Sequence, residues 1–377
     1  MSMNKDQDVK LAGIPCMSVG SLVSRLARVY CTVVEQGTPL KAVPSVMLWG
    51  PPGIGKSQAV RQIANVIEEQ TGKRVSVTDV RLLLFNPIDL RGIPTANADK
   101  TLAIWLKPQI FQMEDSPDVV NILFLDEISA APQSVQAAAY QIVLDRVVGE
   151  HRLPENCIVM AAGNRMTDKS VAFKMPKALA NRLMHIEVEG SFESWRKWAV
   201  GVGIDPRVMG FLSFRQDALM DFDTASEDLA FATPRSWEMV SNLLNASGES
   251  IKELYPLICG LVGTGAASEL RTWEQVYRDL PNIEDIFDGR MPELPTSTDA
   301  LYALVSSMVA YAWDHRDQLD RIGNSIAYAN KLPADYSVVL MRDYQLLEPD
   351  YTQKLLSIPA YTRWLSSKGA LLNGSVK

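Results

Sequence analysis

The apolar positions change their period along the chain. From Ser18 to Gly37 they recur at helical spacing, as Leu22, Leu26, Val29, Tyr30, Val33 and Val34, and Gly37, Thr38 and Pro39 then end the helix. Short apolar runs follow, separated by helical stretches. Ser45–Trp49, Arg74–Val80, Val119–Leu125, Cys157–Ala162 and Met184–Val188 read as strands. Ser57–Glu69 and Pro132–Leu144 read as helices with one apolar face. The run Val119–Leu125 shows little polar alternation, as expected of a strand buried on both faces. Strands and helices alternating in this way predict a mostly parallel sheet covered by helices. After Gly190 the strands stop, and large residues accumulate in helical patterns, beginning with Trp195, Trp198, Phe211 and Phe214. Breaks fall at Gly190–Ser191, at Gly263–Gly265 and at the proline-rich Asp288–Pro295. Beyond the last, Leu301, Leu304, Val305, Met308, Val309 and Ala312 mark an amphipathic helix. Residues 1–17 read as a flexible arm, 18–190 as the α/β domain, and 191–265 and 266–377 as two helical regions.

Composition narrows the class. Apolar residues make up 47% of 377 and charged residues 21%, ordinary for a folded chain and unlike disordered, collagen-like or coiled-coil sequences. No uncharged apolar run is long enough for a transmembrane helix, and Met1–Lys10 lacks the pattern of a secretory leader, so no membrane insertion is expected. Cys16, Cys31, Cys157 and Cys259 are scattered, and His151, His185 and His315 never stand at ligand spacing. That argues against a zinc site, a redox pair and a Ser/His/Asp triad, and a reducing cytoplasm is the expected setting. The net charge of −7 disfavours a protein that coats a phosphate backbone, though a local basic channel is compatible with it.

The chemistry concentrates at strand ends. Gly50, Pro51, Pro52, Gly53, Ile54, Gly55, Lys56 and Ser57 match G-x-x-x-x-G-K-[ST], with a strand before and a helix after. Glycines let backbone N–H groups curl round phosphate oxygens, and the helix opening at Ser57 and Gln58 aims its positive end at the same anion. Lys56 would reach the β and γ phosphates of ATP, and Ser57 would offer its hydroxyl to Mg²⁺. The apolar strand ending Leu125-Asp126-Glu127 supplies the complementary acids: Asp126 for the Mg²⁺ shell, Glu127 to polarise the attacking water. A glutamate beside that aspartate tilts the reading toward an ATPase. Asn164, at the tip of another strand, suits a hydrogen bond to the water and the γ-phosphate. Arg182 suits an arginine finger acting on a neighbouring subunit, with Arg165 as a competitor. Arg235 follows Thr233 and Pro234, a good N-cap and first helical residue, which puts a cation in a first turn where the helix dipole opposes it and suggests an anion nearby.

Together these residues, in this order, resemble the AAA+ ATPases, over residues 40–265. The finer pattern resembles the MoxR-like branch, through Asp79-Val80-Arg81-Leu82, Asp89-Leu90-Arg91-Gly92-Ile93-Pro94, Trp105, Leu125-Asp126-Glu127-Ile128, Gln136–Gln141, Leu144-Asp145-Arg146 with Gly149-Glu150, and Ala161–Arg165. The resemblance implies a doubly wound αβα P-loop nucleotide domain, an α-helical lid over 191–265, and a helical C-terminal extension over 266–377 of unassigned role. It implies a homo-oligomeric ring, commonly a hexamer, with Arg182 acting in trans. It also implies an insert over Asp89–Gln112 and a hairpin over Val147–Asn156, facing the pore or the ring surface. Chaperone-like work on a protein partner, often one bearing a von Willebrand factor A domain, would follow. Two other functions share the same core residues: an ATP-driven nucleic-acid machine, and a nucleotide-dependent scaffold with little turnover. The acidic balance and the lack of a basic–aromatic element favour the first reading, and an intact Glu127 disfavours the scaffold.

Overall fold

The computed structural model describes residues 13–165, 175, 177–221 and 228–373. The chain divides into two compact units, 1–191 and 192–377.

The first unit is built on six parallel strands in the order β1-β10-β2-β9-β6-β3. These are β1 (Cys16–Ser18), β2 (Val46–Trp49), β3 (Arg74–Arg81), β6 (Val119–Asp126), β9 (Cys157–Gly163) and β10 (Met184–Glu189). β6 and β9 lie centrally, and their side chains are buried almost without exception, as their unbroken apolar runs require. Helices α1 (Val19–Glu35), α2 (Lys56–Thr71) and α4 (Gln133–Asp145) bury their apolar faces, with Val60, Ile63, Ala64 and Ile67 inward on α2. Most of the expected arm, 1–12, lies outside the described residues. Its end is a correction: Cys16–Ser18 is an edge strand on β10, and the Ser18 hydroxyl then caps α1 by accepting from Ser21 N.

Two hairpins leave this framework. After the short helix α3 (Pro87–Arg91), β4 (Ile93–Ala96) pairs antiparallel with β5 (Ala103–Leu106) inside the expected insert. β7 (Val147–Val148) and β8 (His151–Arg152) form the second, about Gly149. The two hairpins are packed together. His151 Nε2 meets the Trp105 carbonyl at 2.7 Å. Gly149 has φ +59, and a Cβ there would come within 2.4 Å of the Arg91 carbonyl oxygen. Helix α5 (Lys177–Ala180) precedes β10.

The second unit is helical throughout its described residues. Its helices are α6 (Phe192–Val202), α7 (Pro206–Phe214), α8 (Pro234–Ser247), α9 (Ile251–Val262), α10 (Thr264–Arg278) and α11 (Ile283–Phe287). They continue as α12 (Thr298–Asp314), α13 (Leu319–Ala329), α14 (Ala334–Tyr344), α15 (Tyr351–Leu356), α16 (Pro359–Lys368) and α17 (Ala370–Asn373). One continuous apolar core runs from Trp195 through Trp237 and Trp273 to Trp364. The break at Gly263–Gly265 is a bend between α9 and α10, both packed into that core, so the lid and extension expected from the sequence share one interior. Inside this unit Arg196 donates to both oxygens of Asp343, linking α6 to α14.

Candidate active site

The phosphate-binding loop, 50–55, joins β2 to α2. Gly53 and Gly55 have φ of 77° and 103°, in the left-handed region that glycine enters without strain, and Gly55 is the N-cap of α2. Lys56, Ser57 and Gln58 form the first turn of that helix. Lys56 is buried, and its ammonium donates to the Gly50 carbonyl at 2.6 Å, to the Pro51 carbonyl at 2.9 Å and to Asn164 Oδ1 at 3.0 Å. Ser57 Oγ donates to Asp126 Oδ2 at 2.8 Å.

These contacts follow from strand order. β9 lies between β2 and β6, in register Leu48↔Ala162 and Leu125↔Ala161. The ends of all three strands therefore open at one edge of the sheet, where loop, acids and Asn164 meet, as expected outside the carboxyl ends of parallel strands. Glu127 sits just past β6 with φ +60, an uncommon conformation for glutamate. It is pinned there: its N–H donates to Asp126 Oδ1 at 2.8 Å, and the next N–H, of Ile128, donates to the Ala162 carbonyl at 2.9 Å. Backbone strain of this kind is held only where surrounding bonds fix it.

Sequence reasoning passed over Ser129. This buried serine accepts from Asn164 N at 2.9 Å and so joins the turn after the acids to the strand tip that carries Asn164. Gly163 is the counterpart, since a Cβ there would lie 2.8 Å from both Ser129 Oγ and Met47 Cε. Asp79, quoted above only as part of a family pattern, lies on β3 beside β6. Burial, and then the Asp126 charge, push its carboxyl up, opposed by Arg81 and Arg61.

The arginines part company. Arg165 donates to Glu187 Oε1 at 2.5 Å, and Glu187 is buried, so Arg165 is tied into its own unit. Arg182 is exposed in the turn before β10, and among the described residues no ion-pair partner stands against it. Arg235 belongs to the second unit. It is exposed in the first turn of α8, whose N-cap Thr233 accepts from Ser236 N at 3.1 Å while Ser236 Oγ accepts from Thr233 N at 2.8 Å.

The residues present suit a divalent cation. A hydroxyl and a carboxylate oxygen converge at the mouth of an anion-binding loop, the hard oxygen donors that Mg²⁺ takes when it bridges protein and nucleotide phosphates.

A parallel sheet with such a loop at its edge defines a P-loop nucleotide-binding domain. Residues 45–185 match the profile of the family described as "ATPase family associated with various cellular activities (AAA)". This module is an AAA+ ATPase domain, and it resembles the MoxR-like branch. The chain is 29% identical over 143 residues to the chaperone MoxR1 of Mycobacterium tuberculosis, a match covering 37% of this chain and 34% of that one. The matched segment thus spans about a third of that relative. Among solved structures, C. elegans PCH-2 is similar at 11% identity over 67% of each chain, with a TM-score of 0.34. A putative ATPase from Cytophaga hutchinsonii is similar at 15% identity over 86% of this chain and 92% of that one, with a TM-score of 0.32. No described helix is long and apolar enough to cross a membrane.

Proposed function

We propose that the protein hydrolyses ATP as a homo-oligomeric ring, hexameric by the MoxR-like resemblance, and uses the cycle to remodel or activate a protein partner in the cytoplasm. The observation that carries this reading is the joint bonding of Lys56 to Asn164 and of Ser57 to Asp126 across the ends of α2, β6 and β9. Loop amides and Lys56 bind the β and γ phosphates, with Asn164 at the γ end. Ser57 and Asp126 hold Mg²⁺, which when bound neutralises charge developing on the phosphate oxygens. Glu127, fixed in its turn, takes a proton from the attacking water. Arg182 of one subunit completes the site of the next. Arg235 serves as the lid's cation.

A protein partner, with a von Willebrand factor A domain as the leading candidate, fits better than nucleic acid. The acidic excess of the chain lies in 192–377, whose surface would repel a polyanion. ATP turnover measured against protein concentration tests the reading, with Glu127→Gln as control. Specific activity should rise with concentration and vanish in the variant, while the variant still binds ATP. Turnover that is flat in concentration and indifferent to Glu127 sinks the proposal.

A further inference from the structure

We infer that His185 is a positioning residue for Arg182, coupling it to the strand that carries the phosphate loop. Trp49 is the last residue of β2, directly before Gly50. Its indole N–H donates to His185 Nδ1 at 2.9 Å, and the two rings lie nearly parallel, 6.0 Å apart. An Nδ1 that accepts carries no proton, so the neutral ring holds its proton on Nε2. That Nε2 donates to the Ala180 carbonyl at 2.7 Å. The same carbonyl accepts from Leu183 N at 3.2 Å, which closes the turn whose tip is Arg182.

A directed path thus runs from Trp49 through the imidazole to the carbonyl that closes the Arg182 turn. Glu187, two residues along the same strand, is buried and paired with Arg165, the competing arginine. His185 acts through its bonds to Trp49 and the Ala180 carbonyl. It sets how the turn presents its arginine to the neighbouring subunit, and therefore rests on the reading of Arg182 as acting in trans.

The test uses the full chain at concentrations where wild-type specific activity has levelled off. His185→Phe, His185→Gln and Arg182→Ala are compared for turnover and for affinity toward a fluorescent ATP analogue. Each is then mixed with excess Glu127→Gln. His185→Phe should lose about 10- to 100-fold in kcat, the scale of a small misplacement of a reacting group, at unchanged nucleotide affinity. His185→Gln, with one acceptor and one donor, should recover part of the loss. In the mixture, a Glu127→Gln subunit lends its intact arginine to the complete site of a His185→Phe subunit, so turnover per His185→Phe subunit should rise. Arg182→Ala should respond to mixing in the same way. If the Arg182→Ala mixture stays silent, the trans reading fails and the inference with it. If that mixture responds and the His185→Phe mixture does not, or if His185→Phe turns over like wild type, the inference alone is overturned.

Discussion

At the scale of single residues, the site is a closed circuit of short bonds. Lys56 meets Asn164, Asn164 meets Ser129, and Ser129 lies in the turn that begins with the strained Glu127. Breaking the circuit at its least obvious member should disturb chemistry more than binding. Ser129→Ala is expected to lower kcat about tenfold through misplacement of Asn164, with nucleotide affinity little changed. Gly163→Ala should act on the same bond from the other side, since its new methyl would displace Ser129. Equal kcat for wild type and Ser129→Ala would remove the serine from the circuit. The loop and the acids were legible in the sequence because an anion and a cation dictate residue type and spacing. Ser129 was not, because one serine carries no pattern, and its partner arrives only when β9 lies beside β6.

At the scale of elements, the strands with unbroken apolar runs appeared where the sequence placed them. β1 was missed, because three residues are too few to show a period. The β4–β5 hairpin was missed as well. Asp89–Gln112 was expected only as an insert, and the strand pairing inside it shows only in register. Helix ends were better marked: Thr233 and Pro234 begin α8 as their chemistry requires. A cap supplied from another helix leaves no such local mark. The buried Glu274 carboxylate on α10 accepts from Ile251 N and Lys252 N, the first amides of α9. It does so with the negative charge that a helix N-terminus favours. Glu274→Ala should cost about 1–3 kcal/mol by leaving those amides unpartnered. The urea midpoint measures it, and an unchanged midpoint would contradict the assignment.

At the scale of the whole molecule, interior acids set an alkaline limit. Burial pushes the Cys157 thiol up to about 12, and pushes the Tyr140 and Tyr351 hydroxyls up to about 12. The folded chain therefore keeps protons that the unfolded chain releases sooner. Stability from these groups is complete below their ordinary values of 9.0 and 10.0 and is lost as pH climbs toward 12. Urea midpoints followed from neutral to strongly alkaline pH should fall steeply over that window, and a level midpoint would refute the argument. Charge is also distributed at this scale. The acidic excess of 192–377 stands against the near balance of 1–191, a division that a net value of −7 for the chain conceals.

The short strand at Cys16–Ser18 has a further consequence. It occupies the hydrogen-bonding side of β10 at Glu187–Glu189, and the carbonyl of Pro15 extends that cover to Glu187 N. It is the guard strand of an otherwise open parallel sheet. A protein trimmed back to Val19 would keep every residue of the phosphate loop and both acids. It would also bare a ready template for another chain's backbone, and the cost would be paid in self-association before any change in chemistry.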